Sequence, residues 1–82
     1  MFLELVTPDK KLFEGEVQSV RLPGVEGTFE VLNNHAPIVS VLDKGDLRVR
    51  TTDKKVTIYK IDGGVVEMLN NKLVVLIEKV LN

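Results

Sequence analysis

Cysteine and tryptophan are absent from this 82-residue chain, and histidine and tyrosine occur once each. Without a thiol there is no disulfide, no thiolate nucleophile and no Cys-based zinc site, a composition that fits a reducing compartment. With Tyr59 as the sole tyrosine and no indole ring, stacking platforms for a sugar are few. A dominant charge is missing too. Eleven Lys and Arg against twelve Asp and Glu leave a formal net charge of −1, so nucleic-acid phosphates meet no clustered basic surface and nucleic acid is not an expected partner. No apolar run reaches the length of a membrane-spanning helix. The opening MFLELVTPDKK has few apolar residues before Pro8 and no basic n-region, which predicts no secretory leader.

What is there is aliphatic. Apolar residues make up 44% of the chain and are mostly Val, Leu and Ile, whose branching favours strands. At this length the chain is expected to be one domain over residues 1–82, burying about 60% of its unfolded surface. Turn formers recur at Pro8-Asp9, Pro23-Gly24, Asn33-Asn34, Lys44-Gly45, Asp53-Lys54, Gly63-Gly64 and Asn70-Asn71, a spacing of about ten residues that suits short antiparallel strands. Between them the pattern predicts strands over Phe2–Thr7, Lys11–Val17, Gln18–Leu22, Thr28–Leu32, Ile38–Leu42, Asp46–Thr52, Lys55–Ile61, Val65–Leu69 and Lys72–Val80.

In DLRVRT, Leu47 and Val49 point one way while Arg48 and Arg50 point the other, as a sheet with one wet face requires. The arginines read as a solvated face, with docking of an acidic partner as the alternative. In KLVVLIEKV both faces are apolar, and Leu73, Leu76, Ile77 and Val80 also satisfy a helical spacing. The strand is preferred because the run is short and β-branched, and Asn70-Asn71 supplies a hairpin turn that tolerates positive φ. Its second face is expected either to meet a partner or loop, or to be buried by local twist. Many short strands without a helical stripe predict an all-β fold, a sandwich of two antiparallel sheets.

Catalytic signatures are missing. There is no P-loop, dinucleotide fingerprint, zinc pattern or nucleophile elbow, and PGVEG lacks the residues that hold phosphate. A Ser/His/Asp triad would have to draw on His35 with Ser19 or Ser40, both serines mid-strand. Carboxylate pairs from Glu14, Glu16, Glu26, Glu30 and Glu67 read as solvated strand faces. No enzyme activity, metal or cofactor is expected. His35, held before Ala36-Pro37 in an extended turn, reads either as a lock on its own loop or as a contact residue.

Read in order, LFEGEVQSVRLPGVEGTFEVLNNHAPIVSVLDKGDLRV and IDGGVVEM resemble the epsilon subunit of F-type ATP synthases in its N-terminal β-sandwich domain. Phe13, Gly15, Leu22 to Gly27, His35 to Val39, Gly45 and Gly63-Gly64 carry the resemblance across essentially the whole chain. It implies about ten strands and a non-catalytic rotor subunit of the central stalk of a proton-translocating ATP synthase. Such a subunit joins the gamma subunit to the c ring, peripheral to the cytoplasmic face of a bacterial inner membrane. Matching positions imply c-ring contacts at Thr28, Asn33, Asn34 and His35, and gamma-subunit contacts at Thr7, Ile38 and Ser40.

Departures from the family pattern are Asn34 where glycine often precedes the histidine, Thr28 in place of a common acidic residue, and Glu30 at a position usually glycine and expected here to face water. The chain stops at Asn82, where many relatives continue into two inhibitory helices, so no such hairpin is expected. The alternative is a free-standing β-sandwich module that binds a peptide or ligand.

Overall fold

Alternation of inward and outward side chains carries the chain through six strands in the computed structural model, which describes residues Met1–Asn82. These are β1 (Phe2–Val6), β2 (Lys11–Gly24), β3 (Gly27–Leu32), β4 (Ile38–Thr51), β5 (Val56–Leu69) and β6 (Lys72–Ile77). Neighbours run in the order β1-β6-β5-β4-β2-β3, and β1 pairs again with β2. Five strands therefore close into a barrel-like ring, and β3 is an additional strand. One edge of β2 is shared: β1 takes its first half, from Lys11 to Glu16, and β3 its second, from Ser19 to Gly24.

This corrects the expected sandwich of two antiparallel sheets and about ten strands. Three predicted breaks are continuous strands of 14 residues each, β2, β4 and β5. Across Lys44-Gly45 and Gly63-Gly64 the β4–β5 ladder keeps one register, through the pairs Leu42↔Gly64, Lys44↔Asp62 and Gly45↔Ile61. What changes there is the side chain that faces inward. In β4, Leu42 is buried before the bend, and Leu47 and Val49 after it; in β5, Ile61 gives way to Val66 and Met68. β2 makes the same switch from Val17 to Val20 and Leu22, beside a register shift between Val17 and Ser19. Each long strand thus bends and lines two walls of one core.

The β1–β6 pair is parallel, contrary to the all-antiparallel expectation. A ring with an odd number of strands cannot alternate direction all the way round, so one seam must be parallel. β6 is a strand, as preferred over the helix, but ends at Ile77; Val80 returns only as an isolated bridge to Ile61.

Sixteen buried apolar residues form the core, among them Leu3, Leu5, Leu22, Leu47, Ile61 and Leu73. Their burial supplies the main stabilisation at roughly 1.5–3 kcal/mol for each large side chain. No buried side-chain nitrogen or oxygen lacks a partner. Gly64 permits the tightest approach: a Cβ there would sit 2.3 Å from the Leu76 carbonyl oxygen and 2.9 Å from Ile77 Cα.

Gly64→Ala is expected to push β6 off β5 and destabilise the fold by about 2 kcal/mol or more. That corresponds to a melting midpoint about 8 °C or more lower in a domain of this size, and an unchanged midpoint would refute the close approach. At the β4–β5 turn, the Thr51 hydroxyl and then the Lys55 N–H donate to Asp53 and hold its carboxyl below 3.8. A group with a depressed folded value stabilises above its unfolded value, so this contribution is present above pH 3.8 and fades as pH falls through the lower folded value. Carboxyl NMR titration of wild type and Thr51→Val checks it, the variant midpoint rising toward 3.8.

Candidate functional site

Strand geometry keeps the candidate catalytic groups apart. Ser19 is buried in β2 and Ser40 half-buried in β4, both mid-strand, whereas His35 is exposed in the β3–β4 turn. The carboxylates are dispersed: Glu14 pairs with Lys11 at 3.1 Å, Glu16 with the Met1 nitrogen at 3.3 Å, and Glu30 is exposed. The hydrogen bond to Glu14 and the charge of that carboxylate, with Glu4 adding to them, raise the Lys11 ammonium above 10.5. No three His, Asp or Glu side chains gather as ion ligands. The surfaces carry the remaining signals.

One is a polar turn. Asn34 adopts φ 62°, the left-handed conformation that its position demands and that asparagine tolerates. Its N–H donates to Asn71 Oδ1 at 2.7 Å, and Asn33 Oδ1 accepts from Asn71 Nδ2 at 3.0 Å and from the Met1 nitrogen at 2.6 Å. The His35 N–H donates to the Leu32 carbonyl at 3.1 Å, while Nδ1–H donates to the Ala36 carbonyl at 2.7 Å. The ring secures its own loop through Nδ1 and leaves Nε2 free at the surface. Thr28 is not part of this group. It sits at the other end of β3, roughly 20 Å away at about 3.3 Å per residue, exposed beside the Val25-Glu26 tip.

The second signal is an apolar stripe that the sequence reading did not name. Val41 pairs with Val65, Val65 with Leu76, and Leu76 with Val6 across four strands. On the outward side Val41 is 55% exposed, Val65 44%, Leu76 45%, and diagonal Val39 78%. The Val25 N–H donates to the Val41 carbonyl at 3.1 Å and extends the row with another exposed valine. Thr28, Ser40 and Val41 line one shallow groove on this face, and Pro8, next to Thr7, lines the adjoining one with Val65 and Leu76. Thr7 Oγ1 accepts from the Asp9 and Lys10 N–H groups at 3.3 and 3.2 Å, which shapes the β1–β2 turn. Ile38 is half-buried and packs against the core. The segment PIVSVLD, apolar on both alternations, held the signal for this face, as did Leu76 in β6, whose second face the structure leaves exposed.

Arg48 stands directly across from Arg21 and Ile58, and Arg50 across from Ser19 and Val56. Both arginines are half-buried on the outer face, without an acidic partner within ion-pair distance.

A family model described as ATP synthase, Delta/Epsilon chain, beta-sandwich domain matches residues 1–82. A protein of Chlorobium limicola named ATP synthase epsilon chain is 41% identical over 78 residues, covering 95% of this chain and 89% of that one. One of the same name from Sulfurimonas denitrificans is 41% identical over 76 residues, covering 93% and 58%. Among solved structures, a chain in the Euglena gracilis mitochondrial ATP synthase, OSCP/F1/c-ring, matches with TM-score 0.90 and 25% identity, over 96% of this chain and 51% of that one. A chain in the Tetrahymena thermophila mitochondrial ATP synthase central stalk/c-ring matches with TM-score 0.86 and 22% identity, over 100% of this chain and 66% of that one, a likeness of fold. The chain thus spans about half the length of the Euglena chain it matches.

Because the His35 ring is exposed and its hydrogen bond stays within its own loop, His35→Ala is expected to keep the β-type circular dichroism spectrum and to change stability by no more than about 0.5 kcal/mol. An unfolded variant would make the imidazole a structural lock and remove it from the surface signals.

Proposed function

This chain belongs to the ATP synthase delta/epsilon chain family, through its β-sandwich domain, and on that premise we propose that it is the rotor subunit joining a gamma subunit to the c ring. Relatives named ATP synthase epsilon chain are non-catalytic subunits of that complex, and this chain is of that kind. The observation that carries the proposal is the outward stripe of Val39, Val41, Val65 and Leu76. The ring-like fold has no use for apolar side chains on its wet side, and contiguous apolar surface of this sort marks a protein interface. Thr7 and Ser40 border it, and Ile38 stiffens it from below. Gamma packs here.

The c ring takes a different surface, the free side of β3. Thr28, Glu30 and Leu32 are exposed along this strand, and the Asn33–His35 turn continues the line. Asn33, Asn34 and His35 form the centre of this surface, while Thr28 lies at the far end of β3, beside the groove that also takes in Ser40 and Val41. Polar side chains suit the polar loops of a ring, with rim charges such as Glu30 setting orientation more than affinity. A closed ring of strands around a packed aliphatic core deforms little under load, which lets torque pass from ring to stalk. The chain is then peripheral to the membrane, held at the cytoplasmic face of a bacterial inner membrane through the ring.

A second reading draws on the open edge of β3, which could add a peptide strand in a free-standing binding module. Size-exclusion chromatography of the chain with purified gamma separates the two. Wild type is expected to form a stable complex of at least standard interface size, roughly 1,200–2,000 Å². Val65→Asp, which buries an unpaired carboxylate at a cost of several kcal/mol, is expected to weaken it at least about a hundredfold. No complex with wild type at micromolar concentration overturns the rotor reading and leaves the peptide module.

A further inference from the structure

Asn71 touches three separate parts of the fold. It lies with Asn70 in the two-residue β5–β6 turn, at φ 60° and 53° respectively, the positive pair that a tight hairpin requires. Its carbonyl accepts from the Phe2 N–H at 3.0 Å, at the start of β1. Its side chain reaches the β3–β4 turn, 37 residues away from Asn34 in sequence, accepting from the Asn34 N–H at 2.7 Å and donating to Asn33 Oδ1 at 3.0 Å.

We propose that Asn71 is the positioning residue of the Asn33–His35 turn, fixing from a neighbouring hairpin the geometry in which that turn meets its partner. The proposal rests on the reading of this turn as a c-ring contact. The residue type is specified twice over. Backbone φ at 71 selects glycine or asparagine, and of those two only asparagine carries an acceptor for the Asn34 N–H together with a donor for Asn33 Oδ1. Aspartate would retain the acceptor and set a carboxylate against the Asn33 oxygen. Asn34 lies outside the strand ladder, so the side-chain amide of Asn71 takes the place of the cross-strand carbonyl that would otherwise hold it. His35 follows directly, and its exposed ring inherits the orientation of the residue before it.

Asn71→Gly tests this because glycine keeps the turn conformation and removes both side-chain bonds. In the isolated chain, amide exchange at Asn34 is expected to quicken about tenfold, the order set by losing one hydrogen bond, while Val31 and Leu73 change less than about twofold. Unchanged exchange at Asn34 in Asn71→Gly overturns the positioning role. In reconstitution with gamma and detergent-solubilised c ring, Asn71→Gly is expected to weaken ring attachment about tenfold, with gamma binding unchanged. Wild-type attachment by Asn71→Gly, alongside loss in His35→Ala, also overturns it. Wild-type attachment by both variants refutes the c-ring reading of the turn instead, and the exchange data alone then decide what Asn71 does.

Discussion

Five strands in a closed ring must contain one parallel seam, and here it joins the first strand to the last. From Phe2↔Lys72 to Val6↔Leu76, β1 and β6 are locked side by side in parallel, which brings the two ends of the chain into a single wall. Closure satisfies the backbone groups that an open sheet would leave at its margins. Some stretches escape it. The outer side of β3 stays free, and the first half of β5 is covered by the tail, with the Asp62 N–H bonded to Lys79 and the Leu81 N–H to Lys60. The free edge of β3 runs alongside the surface assigned to the ring.

Closing five strands over so small a core also demands sharp bends, and each long strand meets the demand by switching the parity of its inward residues. This inversion decides which side chains reach solvent. Before the bend in β4, Ile38, Ser40 and Leu42 turn inward and Val39 and Val41 outward; beyond it, Leu47 and Val49 turn inward and Arg48 and Arg50 outward. One strand thus presents an apolar outer surface at one end and a cationic one at the other. The apolar end aligns with Val65 and Leu76, and the same bend therefore creates both the corner of the core and the surface assigned to gamma.

The local chemistry of the chain made much of this legible. Aliphatic alternation located strand residues, and Asn70-Asn71 marked a hairpin whose positive φ values are borne out. Where sequence reasoning failed, it took glycine as an end. Lys44-Gly45 and Gly63-Gly64 look like turns because glycine is the usual residue of turns, yet here missing Cβ atoms let a continuous strand bend against Pro23 and the β6 backbone. A bend and a turn need the same residue, so only the partner strand tells them apart. Closure was equally hidden, since it depends on pairing between residues some 70 positions apart. Of the candidate contacts, the structure groups Asn33, Asn34 and His35, and Ser40 with Thr28. The valine stripe was not legible because PIVSVLD is apolar on both alternations, the pattern that a strand buried on both faces would also have.

The two surfaces also differ in how they gain affinity. An apolar stripe draws on desolvated area and tolerates small errors of fit, because burial has no direction. A polar strip gains little from each hydrogen bond once water is displaced, and every side chain that must be ordered on contact subtracts from that gain. Order made beforehand is therefore worth most where the surface is polar. In this molecule the network of cross-segment side-chain hydrogen bonds, Met1 to Asn33 to Asn71 to Asn34, lies behind the polar turn and not behind the valines. Rigidity is placed where apolar burial cannot supply the attachment.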